Sequence, residues 1–397
     1  MENYVCNIAY LAVQCGVNVK KGDTVFVSAP VDAVSLAREI TKNAYNSGAD
    51  NVVVNFSDDI INKQKLLNAP DKILETFPQY DADKFLSQLE NKSSFCTISI
   101  IANDPNIMAE VPTDKFQKVS KARFSHMKSY YEAAHNDEFR WTVISFPTES
   151  WAKAAGVTLN ELIEFVAEAS VTKGSQQDCL NHINEVDKTL QNRCQKLNNL
   201  NFKQFKYTTK RTNFIVDMHE SHIFLGGSTK TNDILQQKFY PNIPTYEVFS
   251  APLNCNGIIY ATRPLSYNGN IISDFYLKFE NGDVVDFDAV QGRDILQELI
   301  MTDAGSKRLG EIALVSQDSP VCATKFLFLE TLFDENASCH FALGSAYTVC
   351  GKGEWLNNSS KHVDFMIGDS DLQIIGITKD DNQIVIMQNG VFTIQFQ

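Results

Sequence analysis

Six residues in the C-terminal half are of the types that hold a divalent cation: Glu247, Glu311, Glu335, His340, His362 and Asp364. Carboxylate oxygens mixed with imidazole nitrogens suit Zn, Co or Mn, and a pair of such ions needs about five or six ligands with at least one carboxylate bridging. The most suggestive spacing is His362-x-Asp364 in KHVDFMIG. On a strand, positions i and i+2 project from one face, so both side chains can reach one ion. Asp364 stands ahead of the apolar run FMI, and Glu311 lies between Gly310 and the strand-like run IALV. An ionisable group adjoining a buried strand must be paired or metal-bound to offset its desolvation. Simpler readings stand beside these. Glu311 could cap a strand or pair with Arg308, His340 could be a core imidazole bonded to backbone, and Tyr347 could fill the core with its hydroxyl satisfied.

Other chemistries lack their motifs. No Gly-x-x-x-x-Gly-Lys-Ser/Thr occurs, no Gly-x-Gly-x-x-Gly follows the first strand, and Gly-x-Ser-x-Gly and His-Glu-x-x-His are absent. The nearest approach to the last is His219-Glu220-Ser221-His222, whose two imidazoles are three apart in strand- or loop-like sequence and read as polar surface histidines.

The elements that must position these residues fall into two textures. Thr24 to Ser28 reads as a buried strand and Asp32 to Ser47 as a helix, with Asp32 as its N-cap and Gly48 as its C-terminal glycine; Asn51 to Phe56 is a second strand. Helices follow near 81–91 and 113–134, strands at Phe95 to Ile101 and Trp141 to Phe146, and a helix from Leu159 opened by the capping box Thr158-x-x-Glu161. This alternation predicts an α/β N-terminal domain with a largely parallel sheet. After a polar helix from about Gln176 to Asn199 the chain becomes strand-rich. Asn281-Gly282 joins DFYLKF to VVDFD, Asn389-Gly390 joins QIVIM to VFTIQF, and Arg293 to Thr302 is the clearest helix. The second domain is therefore expected to be α+β and mainly antiparallel, with boundaries of 1–200 for the first domain and 201–397 for the second.

The whole chain, at 397 residues, suits two such domains. A formal net charge of −13 without a long basic block argues against nucleic acid as partner. No run reaches the roughly 18 apolar residues of a membrane span, and the Met-Glu-Asn-Tyr start lacks the pattern of a secretory signal, so a cytoplasmic protein is expected. The nine cysteines are scattered and include no Cys-x-x-Cys pair, so they are expected as reduced thiols, many of them buried.

The chain resembles the thermophilic-type metallo-aminopeptidases represented by aminopeptidases T and S. The first domain carries the resemblance in GVNVKKGDTVFVSAPVDAVSLAREITKNAYNSGADNVVVNFSDD and RWTVISFPTESWAKAAG. The second carries it in NIPTYEVFSAP, RLGEIALV, ENASCHFALGSAY and KHVDFMIGD, with HESHIFLGG in support. The resemblance implies two divalent ions per chain, Zn, Co or Mn with Mg also admitted, in a site built from the second domain. By motif it makes Glu247, Glu311, His340, His362 and Asp364 ligands, and Glu335 a further ligand or an orienter. It places Tyr347 at the metals or the transition state and Glu311 as the carboxylate that moves the proton from water to the leaving amine. It further implies a homodimer whose first domain limits entry, short peptides as substrates, and a broad N-terminal preference biased to large apolar residues. Where the family has two acidic residues in the first of the second-domain motifs, this chain has Tyr246 before Glu247, leaving one carboxylate there. The alternative reading is a non-catalytic metal-binding or peptide-binding dimer of the same fold; a third is a metal-dependent hydrolase of another amide.

Overall fold

Thr24–Pro30 is flanked in space by Asn51–Ser57 and Phe95–Ile101, and Arg140–Ser145 closes the sheet. All three pairings are parallel, as right-handed β-α-β crossovers require. This is a computed structural model, and it describes residues 1–393 except 103, 105 and 268. Helix Val34–Asn46 makes the first crossover, burying Leu36, Ala37, Ile40 and Ala44. Gly48, at φ 98°, follows it as the expected C-terminal glycine. Asp32 does not cap it: residues Val31–Ala33 form a short tight turn ahead of the helix, and no side chain caps the first turn. The Thr158–Glu161 capping box is present in both directions. Two elements with weak sequence signals also appear, the helices Glu2–Leu11 and Asp59–Asn68.

At the N-terminal ends of two strands of the parallel sheet lies a fully buried ion pair. Arg140 Nη2 donates to Asp23 Oδ1 at 2.8 Å, and the same guanidinium donates to the carbonyls of Val17, Asn18 and Ser93.

The chain divides into two compact units, residues 1–183 with 228–244, and residues 184–227 with 245–397. The division falls inside helix Gln176–Leu200. The second unit contains two antiparallel sheets. The larger runs in the order 265–267, 270–280, 254–260, 213–217, 204–208, 373–377, 383–388, 391–392, with 283–291 also paired to 270–280. Asn281-Gly282 turns its longest hairpin with φ of 52° and 85°, the double positive φ that favours this dipeptide. Asn389-Gly390 does the same between Gln383–Gln388 and Val391–Phe392; the last residues of VFTIQF lie outside the described residues. The smaller sheet packs on the larger through aromatic contacts. Phe341 of the small sheet meets Tyr207 and Phe214 of the large one with ring centroids 4.9 and 5.4 Å apart. The expected fold class holds: a parallel α/β first half and a mainly antiparallel second.

All nine cysteines are free, seven of them buried. No helix among the described residues is long and apolar enough to cross a membrane.

Candidate metal centre

The small sheet orders its strands His362–Met366, His340–Gly344, Leu309–Val315 and Glu247–Ser250, every pair antiparallel. Pairing sets Glu247 opposite Val315, Ala313 opposite His340, Glu311 opposite Ala342, Ala342 opposite Asp364 and Gly344 opposite His362. Facing partners share a face, as do residues two apart on one strand. Glu247, Glu311, His340, His362 and Asp364 therefore all stand on one face, above the small side chains of Ala313 and Ala342. The opposite face carries Val248, Ile312, Leu314, Phe341, Leu343 and Phe365 into the apolar core.

One irregularity makes this possible. Leu309 pairs with Leu343, yet Glu311 pairs with Ala342, so the strand bulges at Gly310. In a regular strand Leu309 and Glu311 would share a face; the bulge keeps Leu309 in the core and turns Glu311 to the ligands. A Cβ on Gly310 would stand 2.3 Å from the carbonyl oxygens of Gly344 and Ser345, so only glycine fits. The sequence signal was a glycine inside a strand pattern, which marks such bulges.

The five side chains form two groups that share Glu311: Glu247, Glu311 and His340, and Glu311, His362 and Asp364. His340 Nε2 lies 3.1 Å from Glu247 Oε2 and 3.4 Å from Glu311 Oε1; His362 Nε2 lies 3.8 Å from Glu311 Oε2 and 3.4 Å from Asp364 Oδ1. One oxygen of Glu311 thus faces each imidazole. Both rings turn their other nitrogen to backbone: His340 Nδ1 donates to Ser338 O at 3.2 Å and His362 Nδ1 to Ser345 O at 2.7 Å. That contact keeps Nε2 directed at the carboxylates, the usual outer support of a ligating histidine.

Electrostatics in the metal-free protein follow from the crowding. Burial disfavours charged imidazole at His340, but the carboxylates of Glu247 and Glu311 outweigh it and hold His340 well above its ordinary value. Burial also opposes charge on His362, and Asp364 and Glu311 overcome it to raise His362 to about 10. Burial pushes Glu311 up, only partly offset by His340 and His362, whereas at Asp364 the charge of His362 prevails over burial and lowers it.

Two further residues border the groups without belonging to either triad. Glu335, in the tight turn Glu335–Ala337, is pushed well above the carboxylate range by burial and then by the charges of Glu247 and Asp364. Tyr347 sets its ring 4.8 Å from that of His362 and 5.7 Å from that of Phe249. Burial and the carboxylates of Glu311 and Asp364 hold its phenol well above 10, so it stays protonated. Tyr246 is buried, and its backbone N–H donates to Asn336 Oδ1 at 2.6 Å. Asn336, fully buried, thereby ties the turn carrying Glu335 to the strand carrying Glu247; in sequence it shows only as a chance sequon, Asn336-Ala337-Ser338, within the motif ENASCHFALGSAY. Arg308 pairs with Asp283 at 2.7 Å and not with Glu311. The paired histidines of HESH are not both on the surface. His219 stacks on Trp355 at 4.5 Å, while His222 is buried, its Nδ1 donating to His219 O at 2.7 Å, because the segment turns there instead of continuing as a strand.

The donor set fits a divalent cation. Glu247 Oε2, His340 Nε2 and Asp364 Oδ1 are buried with no hydrogen-bond partner among the described residues, although they lie within 3.4 Å of neighbouring ligand atoms. Buried carboxylate and imidazole atoms crowded this closely are costly unless a shared proton or a cation satisfies them. Carboxylate oxygen with imidazole nitrogen suits Zn, Co or Mn.

Comparison with known proteins agrees with the family resemblance of the sequence. Aminopeptidase 2 of Geobacillus stearothermophilus is 38% identical, over 98% of this chain and 97% of its own length. Aminopeptidase AmpS of Bacillus subtilis (strain 168) is 36% identical, over 96% of each. The solved structure of wild-type AmpT from Thermus thermophilus matches with a TM-score of 0.90 at 29% identity, covering 99% of this chain and all of that one. The family model described as thermophilic metalloprotease (M29) matches residues 1–392. In sequence as in fold, the chain belongs to the thermophilic metalloprotease (M29) family.

Proposed function

We propose that this metallo-aminopeptidase releases the N-terminal residue of short peptides and holds two divalent ions per chain, one among Glu247, Glu311 and His340 and one among Glu311, His362 and Asp364. The observation that carries this reading is the position of Glu311, with one carboxylate oxygen toward each imidazole. Zn, Co or Mn bound there supplies the Lewis acidity that polarises a peptide carbonyl and activates water. Glu311 is also the carboxylate assigned to the water proton, which it would take at an oxygen not engaged by an ion and pass to the leaving amine. Glu335, whose strongest charged neighbour is Glu247, orients that end of the site or adds a ligand. Carboxylates outnumber imidazoles here by four, Glu247, Glu311, Glu335 and Asp364, to two, His340 and His362. Two divalent ions would balance those four charges, so selection of a free terminus is assigned to the substrate α-amine itself, which would coordinate one ion or pair with an acidic side chain. The proposal extends to a cytoplasmic homodimer in which residues 1–200 limit entry and residues 201–397 carry the catalysis; the family resemblance supports this part.

The test is metal content and activity on one sample. Two divalent ions per chain, with release of leucine from a leucyl peptide lost on chelation and restored by refilling, is the expected result. A metal-loaded, folded protein that leaves free peptides and aminoacyl anilides intact would move the weight to a binding role.

Tyr347, protonated and beside His362, is assigned to donate a hydrogen bond to the oxyanion of the tetrahedral intermediate. Tyr347→Phe is expected to lower kcat by about 10²-fold with both ions retained, the cost of one lost oxyanion donor. Loss of an ion in this variant would instead make the phenol a ligand.

A further inference from the structure

The loops that enter two of the ligand strands converge on one carboxylate. Asp303 lies ahead of Leu309–Val315, and Ser359 and Ser360 lie just ahead of His362–Met366. Asp303 Oδ1 accepts from Gly305 N at 3.0 Å, Ser306 N at 2.9 Å and Ser359 Oγ at 2.8 Å; Oδ2 accepts from Ser360 N and Ser360 Oγ, both at 2.8 Å. Five donors on a half-buried carboxylate are far more than a solvated surface aspartate collects. Burial acts against charge on Asp303, but these donors prevail and hold it at about 2. The mesh continues to the ligands. Asn357 Nδ2 donates to Gly305 O at 2.9 Å and Gly344 O at 2.6 Å; Gly344 N donates to Arg308 O at 2.8 Å; Ser345 N donates to Lys361 O at 2.6 Å. Ser345 O is the acceptor that orients the His362 ring. The backbones are so close that a Cβ on Gly344 would stand 2.1 Å from Lys361 O.

We propose that Asp303 is a positioning residue for the metal centre, locking the loop before the Glu311 strand to the loop before His362 so that both ligands are held in register. The proposal rests on the dinuclear reading above. Asp303 touches neither ion nor substrate; it acts through Ser360, Lys361 and Ser345 on the imidazole, and through the turn 303–308 on the bulged strand. Supports of this kind commonly contribute about 10- to 100-fold to metal affinity.

Asn at 303 separates the two halves of the clamp. Its single carbonyl oxygen can still accept from Gly305, Ser306 and Ser359, but its amide cannot accept from Ser360 N–H. The experiment titrates metal-free full-length protein with Co²⁺ by calorimetry and follows the Co²⁺ visible absorption. Asp303→Asn is expected to weaken at least one of the two binding steps by about tenfold and alter the absorption band, with kcat lowered and KM little changed, and to regain turnover at excess Co²⁺. Asp303→Asn that binds both ions as tightly as wild type, whatever its melting temperature, overturns the proposal and leaves a purely structural clamp. Should that variant fail to fold, Ser359→Ala/Ser360→Ala takes its place, with about threefold weaker binding expected and unchanged binding as the overturning result. Wild-type protein that binds no Co²⁺ sinks the dinuclear reading and this inference together, whereas a normal wild type with an unaffected variant sinks this inference alone.

Discussion

Glu311→Gln is expected to lower kcat/KM on a leucyl peptide by about 10³-fold or more, equivalent to about 4 kcal/mol of transition-state stabilisation, and to reduce bound metal to one ion per chain or fewer. Glu311 is 4% exposed and is the one residue common to both ligand groups. Glutamine keeps its volume but offers one acceptor oxygen in place of two, so one imidazole would face an NH₂ donor. The same change removes a buried charge whose ionisation burial already disfavours. The metal-free fold should therefore be undisturbed, and the melting temperature of metal-free protein should match wild type or exceed it. Elemental analysis, peptide turnover and thermal melting on one preparation make the check. Wild-type activity with two ions retained would remove Glu311 from its assigned role.

Asp23→Ala should produce the largest loss of stability. Arg140 is fully buried, Asp23 is 2% exposed, and they meet at 2.8 Å. Removing the carboxylate leaves a guanidinium with carbonyl acceptors but no countercharge, which costs about 3–5 kcal/mol. For a unit of this size that corresponds to a fall of roughly 10 °C in melting temperature. The double change Asp23→Leu/Arg140→Met, which removes both charges, should melt above the single variant. Calorimetry in which Asp23→Ala melts within 2 °C of wild type would show that the pair contributes far less than its burial implies.

The contrast between these sites shows what could be read from the sequence. Alternation along KHVDFMIG placed His362 and Asp364 on one strand face because a strand's period of two is local. The turn dipeptides Asn281-Gly282 and Asn389-Gly390 were legible for the same reason: their preference for positive φ is a property of two residues. What the strands would bring together was not local. The residues opposite His340 depend on pairings with segments around 313 and 366, and no spacing within one segment encodes them. The family motifs supplied that link by naming the residues, without the geometry. Asp23 and Arg140 carried no signal because their contact spans the parallel sheet's long crossovers. His222 reads as a surface residue because its polar neighbours suggest exposure, whereas a turn at 220–221 carries it into the interior. Asp32 has the right type and place for a cap, but the tight turn at Val31–Ala33 moves the helix start past it.

The order of strands in the small sheet has a consequence for biosynthesis. Its members are neighbours in the same sequence as they leave the ribosome, beginning with Glu247–Ser250 and ending with His362–Met366 at the opposite edge. A nascent chain that has emerged only as far as the third strand holds Glu247, Glu311 and His340 but lacks the residues that complete the second group. On the proposed two-ion reading the second position is completed only when His362–Met366 has joined the sheet, so occupancy of both would report that this edge strand has closed. A chain cut before that strand would offer a cation the first group alone and would lack the stabilisation that a second bound ion adds to the folded state.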